Sequence, residues 1–447
     1  MKYKQGIYIL TLLIGVSSFQ ARGQEVHEFT LSEAQDYAIE NSYKARVAEY
    51  DVQESEYQVK ETMAFGFPQL NGKVDYNYNI ALPVQLLPAE FVGGEPGEFA
   101  EIQFGTKNSM AASASLSQLI FDGTYIIGLK GAKIYNALVA QQKGATDFEV
   151  KKNTSDAYYV AVVAVENHKM LLDNLSKIEE QLYQTTKLYE NGLVEEQNVD
   201  QLKLNAGKVK IEVENAERQI VISRNMLKFQ MGIVLADSIR TTESIQELID
   251  NATLEITGRY VYDVSQNIQF KVADAWVDIR ETQVRLEKSK YLPSLSAMLN
   301  VSGTSYDESF NYFSGTSNWY GASFVGVNMN VPIFSGMGRH NSVQRAKVNS
   351  LIMQVEREQM KESLNLKLIS SNANFNQALA AFNISQENVE LAKSIRDKTY
   401  RKFQEGMATS FEVTQAESQL ITDQFNLVGS ALNLFEAKTQ IDQILNN

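Results

Sequence analysis

The apolar positions of this chain keep two periods, and the periods change in the same order twice. From Thr30 to about Phe65, Ala34, Ala38, Ala45, Ala48 and Val52 form a small-residue stripe at helical spacing. Thr30 or Ser32 can cap this helix, with Glu33 in its first turn, and Phe67-Pro68 stops it. The period then falls to two. Leu70, Gly72, Val74, Tyr76, Tyr78 and Ile80 alternate with Asn71, Lys73, Asp75, Asn77 and Asn79, which predicts a strand with one apolar and one polar face. A loop from about Ala81 to Thr106 carries three prolines and Glu90, Glu95, Glu98 and Glu101. A second strand covers Lys107–Phe121, where Met110, Ala112, Ala114 and Leu116 alternate with serines.

Ile120-Phe121-Asp122-Gly123 leads into a helix with no breaker before Gly192, roughly 65 residues and so about 100 Å. Leu171, Leu175, Ile178, Leu182 and Leu188 keep three-to-four spacing along it. After Gly192 a return helix carries Val199, Leu202, Ala206, Val209, Val213, Ala216 and Ile220, ending near Met231-Gly232. Ile233 to about Tyr262 is unpatterned.

The programme then restarts. A helix over Val264–Tyr291 includes Asn267, matching Asn41, and Leu292-Pro293 stops it. A strand with Leu295, Ala297, Leu299 and Val301 on one face and a loop over Asp307–Asn318 follow. A fourth strand, with Trp319, Val325, Val327, Met329 and Val331 at alternate positions, leads to Ile333-Phe334-Ser335-Gly336. A second helix of roughly 65 residues runs to Gly406. The last helix has Val413, Ala416, Leu420, Leu427, Ala431, Leu434 and Ile441 at heptad positions. Gly192 and Gly406 lie 214 residues apart in similar surroundings, which marks an internal duplication. The predicted organisation is a first repeat over 24–232 (helix, strand pair, long helix, helix), an equatorial segment over 233–262, and a second repeat over 263–447. In each repeat the two shorter helices together match the long one, so segment 233–262 and both chain ends are expected to meet at mid-height.

Four amphipathic strands cannot leave an apolar face in water, and the long helices offer no layer to cover it. Facing lipid is the other solution, because strands of this length with alternating faces are those of a membrane β-barrel. Four strands do not close a barrel, and open edges are not tolerated in lipid, so several copies must share one. Two copies leave little lumen; three give twelve strands. Tyr76, Tyr78, Trp319 and Tyr320 suit an interfacial aromatic girdle, or are ordinary strand aromatics.

Composition narrows the setting. Lys2 and Lys4 precede an apolar run over Ile7–Val16, and Ala21-Arg22-Gly23 precedes a cut at Gln24, so residues 1–23 are predicted to be a signal peptide. The formal charge of −13 becomes −16 once Lys2, Lys4 and Arg22 are removed, which disfavours nucleic acid. With no cysteine, lipid acylation at the cut, disulfides and thiolate metal sites are excluded. His27, His168 and His340 lack metal-ligand spacing, Gly336-Met337-Gly338 lacks the rest of a phosphate loop, and no serine sits in a nucleophile elbow. No enzyme and no cofactor is predicted.

The layout resembles the TolC-like outer-membrane efflux channel family over essentially the whole mature chain. The resemblance rests on Thr30-Leu31-Ser32-Glu33-Ala34 with Ala38 and Asn41, the Phe-Pro and Leu-Pro stops, the Ile-Phe-x-Gly exits and the two glycine turns. It implies a mainly α chain with a membrane β part: a homotrimer sharing one twelve-stranded β-barrel, a long periplasmic α-helical barrel and an equatorial collar. It also implies an outer-membrane duct of a Gram-negative bacterium. Substrates would pass passively from an inner-membrane transporter and a periplasmic adaptor protein, in a tripartite efflux pump or type I secretion system.

The family's adaptor-docking tips map onto Tyr189, Gly192, Leu193, Val194 and Val199, and onto Phe403, Gly406, Met407, Ala408, Thr409 and Val413. Its periplasmic gate maps onto Arg401, Lys402, Glu405 and Glu412, with Lys187, Glu195, Glu196 and Asp200 at the first turn. Thr414 stands opposite Asp200, so the family's aspartates are not clearly placed. The rival readings are a secreted trimeric coiled-coil structural or adhesin protein, which explains poorly why strand pairs interrupt each half, and a plain porin, which has too few helices.

Overall fold

A computed structural model describes residues 26–257, 262–315 and 317–445, so the predicted signal peptide lies outside the described residues. The first half contains β1 (Val26–Phe29), α1 (Leu31–Asn41), α2 (Tyr43–Ala64), β2 (Gln69–Tyr78), β3 (Val84–Pro88), β4 (Phe99–Gln103), β5 (Asn108–Asp122), α3 (Gly123–Glu190) and α4 (Glu196–Met231). There follow β6 (Ser238–Thr241), α5 (Ile245–Thr257), α6 (Ile268–Ser289), β7 (Ser294–Asp307), β8 (Trp319–Asn330), α7 (Gly338–Gln404) and α8 (Ser410–Leu445). The long helices α3 and α7 have 68 and 67 residues. Among the described residues no helix is long and apolar enough to cross a membrane.

The chain forms two compact units, each drawing on both halves of the sequence: the described residues of 1–43, 150–258 and 377–439, and those of 44–149, 259–376 and 440–447. In the first unit β1 pairs in parallel with β6, so the N-terminal strand meets the segment after α4. Glu243 fastens this corner. It accepts from the Leu31 amide at 2.6 Å and the Tyr158 hydroxyl at 3.1 Å, and Tyr158 also donates to the Phe29 carbonyl. Burial, then the Glu243 charge, push the Tyr158 phenol well above its ordinary range.

Three expectations change here. The single helix from Thr30 breaks at Ser42, whose backbone is extended (ψ 150°). Gly232, at φ +75°, lies so close to the Asn41 carbonyl and Ser42 that a β-carbon would not fit. The break thus lies where the chain packs directly against Gly232. The unpatterned segment 233–262 holds β6 and α5; α5 buries Leu248, Ile249 and Ala252 behind a Ser244–Glu247 capping box. The predicted loop over 81–106 contains the antiparallel pair β3–β4.

In the second unit the sheet runs β2-β5-β7-β8, all neighbours antiparallel. Its register places Tyr76, Met110, Ser305 and Trp319 in one row and Leu70, Leu116, Leu299 and Val325 in another on the same face. The opposite face carries Asn71, Lys73, Asp75, Asn77, Ser113, Ser115, Asn300 and Asn328. In this chain β2 and β8 each pair on one side only. Asn267 caps α6 by accepting from the Gln269 and Phe270 amides, and its side-chain amide donates to the Ile444 carbonyl near the end of α8.

Candidate functional site

The two glycine turns are built alike. At the first, the Gly192 amide donates to the Tyr189 carbonyl at 2.8 Å and the Leu193 amide to Leu188 at 2.9 Å. At the second, the Gly406 amide donates to Phe403 at 3.0 Å and the Met407 amide to Lys402 at 2.8 Å. Both glycines sit at φ +74°, the left-handed conformation that closes a helix C-terminus with this pair of bonds. Nothing lies within 4 Å of a β-carbon built on either one, so backbone conformation, not space, asks for glycine.

The predicted docking residues divide by exposure. Gly192, Gly406 and Thr409 are exposed, as are Leu193 (70%), Met407 (67%) and Tyr189 (41%). Val194, Val199 and Ala408 are half-buried. Phe403 (7% exposed) and Val413 (1%) are not surface positions; they pack with Leu202 in an apolar cluster that Leu182, Tyr400 and Ala408 join. Their side chains hold the second turn from below, because a large apolar group at a heptad position gains more in the seam than in water. They are therefore removed from the surface a partner could touch.

Lys187, Glu195, Glu196, Asp200, Arg401, Lys402, Glu405 and Glu412, the predicted gate, are all exposed. Lys187 pairs with Glu190 on its own helix at 2.7 Å, which raises its pKa. Glu412 accepts from the Thr409 amide at 2.7 Å, and that bond, with the one from the Thr409 hydroxyl, lowers its pKa. Among the described residues no ion pair joins the predicted gate residues of one turn to those of the other. Of the girdle residues, Tyr76 and Trp319 share a row, Tyr78 lies on their face, and Tyr320 is on the opposite face near Tyr306.

Reasoning from the sequence passed over a set of polar residues at core positions behind the turns. Asn174 of α3 donates to Gln424 of α8 at 2.5 Å. One heptad nearer the turn on both helices, Gln181 donates to Glu417 at 3.1 Å. Arg396 of α7 approaches the same Glu417 Oε1 at 3.5 Å and donates through Nε to Asp397. Glu417 is fully buried and Arg396 is 2% exposed. Burial raises the Glu417 pKa, opposed by the Arg396 charge. Glu417 Oε2, Arg396 Nη1 and Gln181 Oε1 are buried without a hydrogen-bond partner. The signal was a gap: Arg396 follows Val389 and Ala392 at heptad spacing, and Gln424 falls between Leu420 and Leu427.

A sequence model of the outer membrane efflux protein family matches residues 35–232 and 264–447. The outer membrane protein TolC of Escherichia coli (strain K12) is 22% identical over 365 residues, covering 73% of this chain and 67% of that one. TolC of Salmonella enteritidis is 22% identical over 329 residues, covering 70% and 64%. The chain thus spans about two thirds of the length of these curated relatives. The solved structure of CusC, a transmembrane channel, superposes with a TM-score of 0.70 at 14% identity, covering 96% of this chain and 95% of that one, and shares the fold.

Proposed function

This chain belongs to the outer membrane efflux protein family, and we propose that three copies assemble into the exit duct of a tripartite efflux pump or type I secretion system. Its place is the outer membrane, with the helical part in the periplasm. The observation that carries this reading is the four-stranded sheet: one face is apolar, the other is lined with Ser and Asn, and β2 and β8 lack outer partners. In lipid an unpaired strand edge costs several kcal/mol per orphaned group, so β8 of one copy pairs with β2 of the next. That closes twelve strands around a polar lumen. Residues 24–232 and 263–447 are the duplicated repeats, and 233–262 belongs to an equatorial collar.

The exposed Gly192, Leu193, Gly406, Met407 and Thr409, with the half-buried Val194 and Ala408 beside them, are the surface offered to a periplasmic adaptor. The charged residues around both turns, Arg401 and Lys402 against Glu405, Glu412, Glu195, Glu196 and Asp200, form the periplasmic gate. Tyr76, Tyr78 and Trp319 face the membrane interface. Transport is passive, with energy supplied by an inner-membrane transporter, and the chain itself performs no catalysis.

Negative-stain imaging of the detergent-solubilised protein tests the assembly: a threefold particle with a detergent belt at one end supports it, and belt-free single chains refute it. Gly406→Val tests docking. Its strain is confined to the turn, so export is expected to fail while the trimer persists; loss of the trimer would assign the turn to folding.

A further inference from the structure

On the polar face of the four-stranded sheet three aromatic rings stand among short side chains. Phe324 lies opposite Asn300, with Ser115 beyond it; Tyr320 lies opposite Thr304, with Ala111 beyond; and Tyr306 lies opposite Ser109. All three are open to solvent: Phe324 is 53% exposed, Tyr306 56% and Tyr320 61%. Tyr306 and Tyr320 are neighbours, their ring centroids 6.4 Å apart. Phe324 leans towards Gly326, where a β-carbon would meet its Cε2 at 4.0 Å. The loop after β7 does not cover these rings. Its Tyr312 is buried against Tyr76 and Trp319, which belong to the apolar face.

A ring left in water forgoes the gain of burial, and a serine or asparagine would serve a water-filled bore as its neighbours do. Aromatics suit the lipid-facing side of a membrane strand at the interface; the lumen side has no such need of them. Charge does not account for the patch either. The ion pair on the same face, Lys73 to Asp75 at 2.9 Å, lies on β2 at the other edge of the sheet and neutralises itself. What the rings offer is a flat surface against which another ring can stack, offset or edge-on. The short side chains beside them leave room for it.

We propose that Tyr306, Tyr320 and Phe324 form a stacking site for planar aromatic small molecules on the inner wall of the duct, repeated in each copy, which binds them in passage. The inference rests on the barrel proposed above, which turns this face to the lumen.

The chain has no cysteine, so a single one introduced on β8 reports its own surroundings. Ala322→Cys lies between Tyr320 and Phe324 on the polar face, and Ser323→Cys lies next to it on the apolar face. The full-length protein in lipid nanodiscs is labelled with a membrane-impermeant sulfonated maleimide, with and without proflavine, a planar aromatic cation. Spermidine serves as a cation without a ring. Proflavine should protect Ala322→Cys and spermidine should not. In Tyr320→Leu/Phe324→Leu, apolar but without rings, the proflavine concentration giving half-protection should rise about tenfold. Phe324→Tyr, which keeps a ring, should leave it within about twofold. If the double variant does not label at the parental rate without proflavine, Phe324→Leu alone carries the comparison, with an expected rise of about threefold. No protection, equal protection by spermidine, or an unchanged concentration in the leucine variants would overturn the proposal and leave the barrel standing. Equal labelling of Ala322→Cys and Ser323→Cys would refute the barrel itself, and the site with it.

Discussion

The two glycine turns have the same backbone, the same φ and the same pair of closing bonds, yet the chain anchors them differently. Tyr189 and Phe403 are equivalent by the 214-residue offset, but Tyr189 stays half in solvent while Phe403 is buried with Leu202 and Val413. The following helices differ too. α8 starts with a capping box, Thr409 and Glu412 each bonding the other's amide. At the same offset α4 starts at Glu195, whose side chain makes no cap bond. The two turns share their geometry and not its support. The second turn is fastened to the seam and the first is held mainly by its own backbone.

Removing the largest difference should make the two alike. Phe403→Ala deletes an aromatic ring from a closed cluster, a change that typically costs about 3–5 kcal/mol. Local hydrogen exchange should show the amides of 400–413 losing protection, whereas Tyr189→Ala should change those of 186–199 by less than about 1 kcal/mol because its side chain is already half in solvent. Equal losses at the two turns would mean that the first is supported by something other than the aromatic.

The caps give a smaller contrast in both directions. Thr409→Ala removes an N-cap side chain, at about 1 kcal/mol. Glu195→Ser supplies one where none exists, and should slow exchange at the start of α4 by roughly 0.5–1 kcal/mol. A Glu195→Ser variant with unchanged exchange would show that the α4 terminus is already satisfied by another group.

The strands and long helices were legible because each keeps one period over many residues. The alternation predicted over Leu70–Ile80 and Lys107–Phe121 appears as Gln69–Tyr78 and Asn108–Asp122. The turns were legible because Gly192 and Gly406 end heptad runs. The break at Ser42 was not, because the residue packed against it, Gly232, is distant in sequence. α5 hid in a segment too short to show a period, although Ser244 and Glu247 have capping-box spacing. The Gln181–Glu417–Arg396 layer was hidden for another reason. A polar residue at a core position interrupts an apolar stripe, and from sequence an interruption reads as an exposed face. Only the three-dimensional partners show it to be buried.

The smallest contrast between the turns is one of pH. In the folded chain Glu412 accepts from the Thr409 amide and hydroxyl, so its carboxylate is favoured and its pKa lies below the ordinary value. A lowered folded pKa gives stability that is fully present above the unfolded value, about 4.3 for Glu, and is lost as pH falls through the folded value. Acidification below about pH 4.3 should therefore fray the start of α8. The start of α4 has no such box and should not follow. Exchange measured at matched intrinsic rates across that interval would resolve the two termini in one sample. Glutamine serves the same box without titrating, so Glu412→Gln should keep the start of α8 protected and abolish its pH dependence. If α8 frays with the same profile in Glu412→Gln, the acid sensitivity belongs to another group. The two turns would then differ in packing and capping alone.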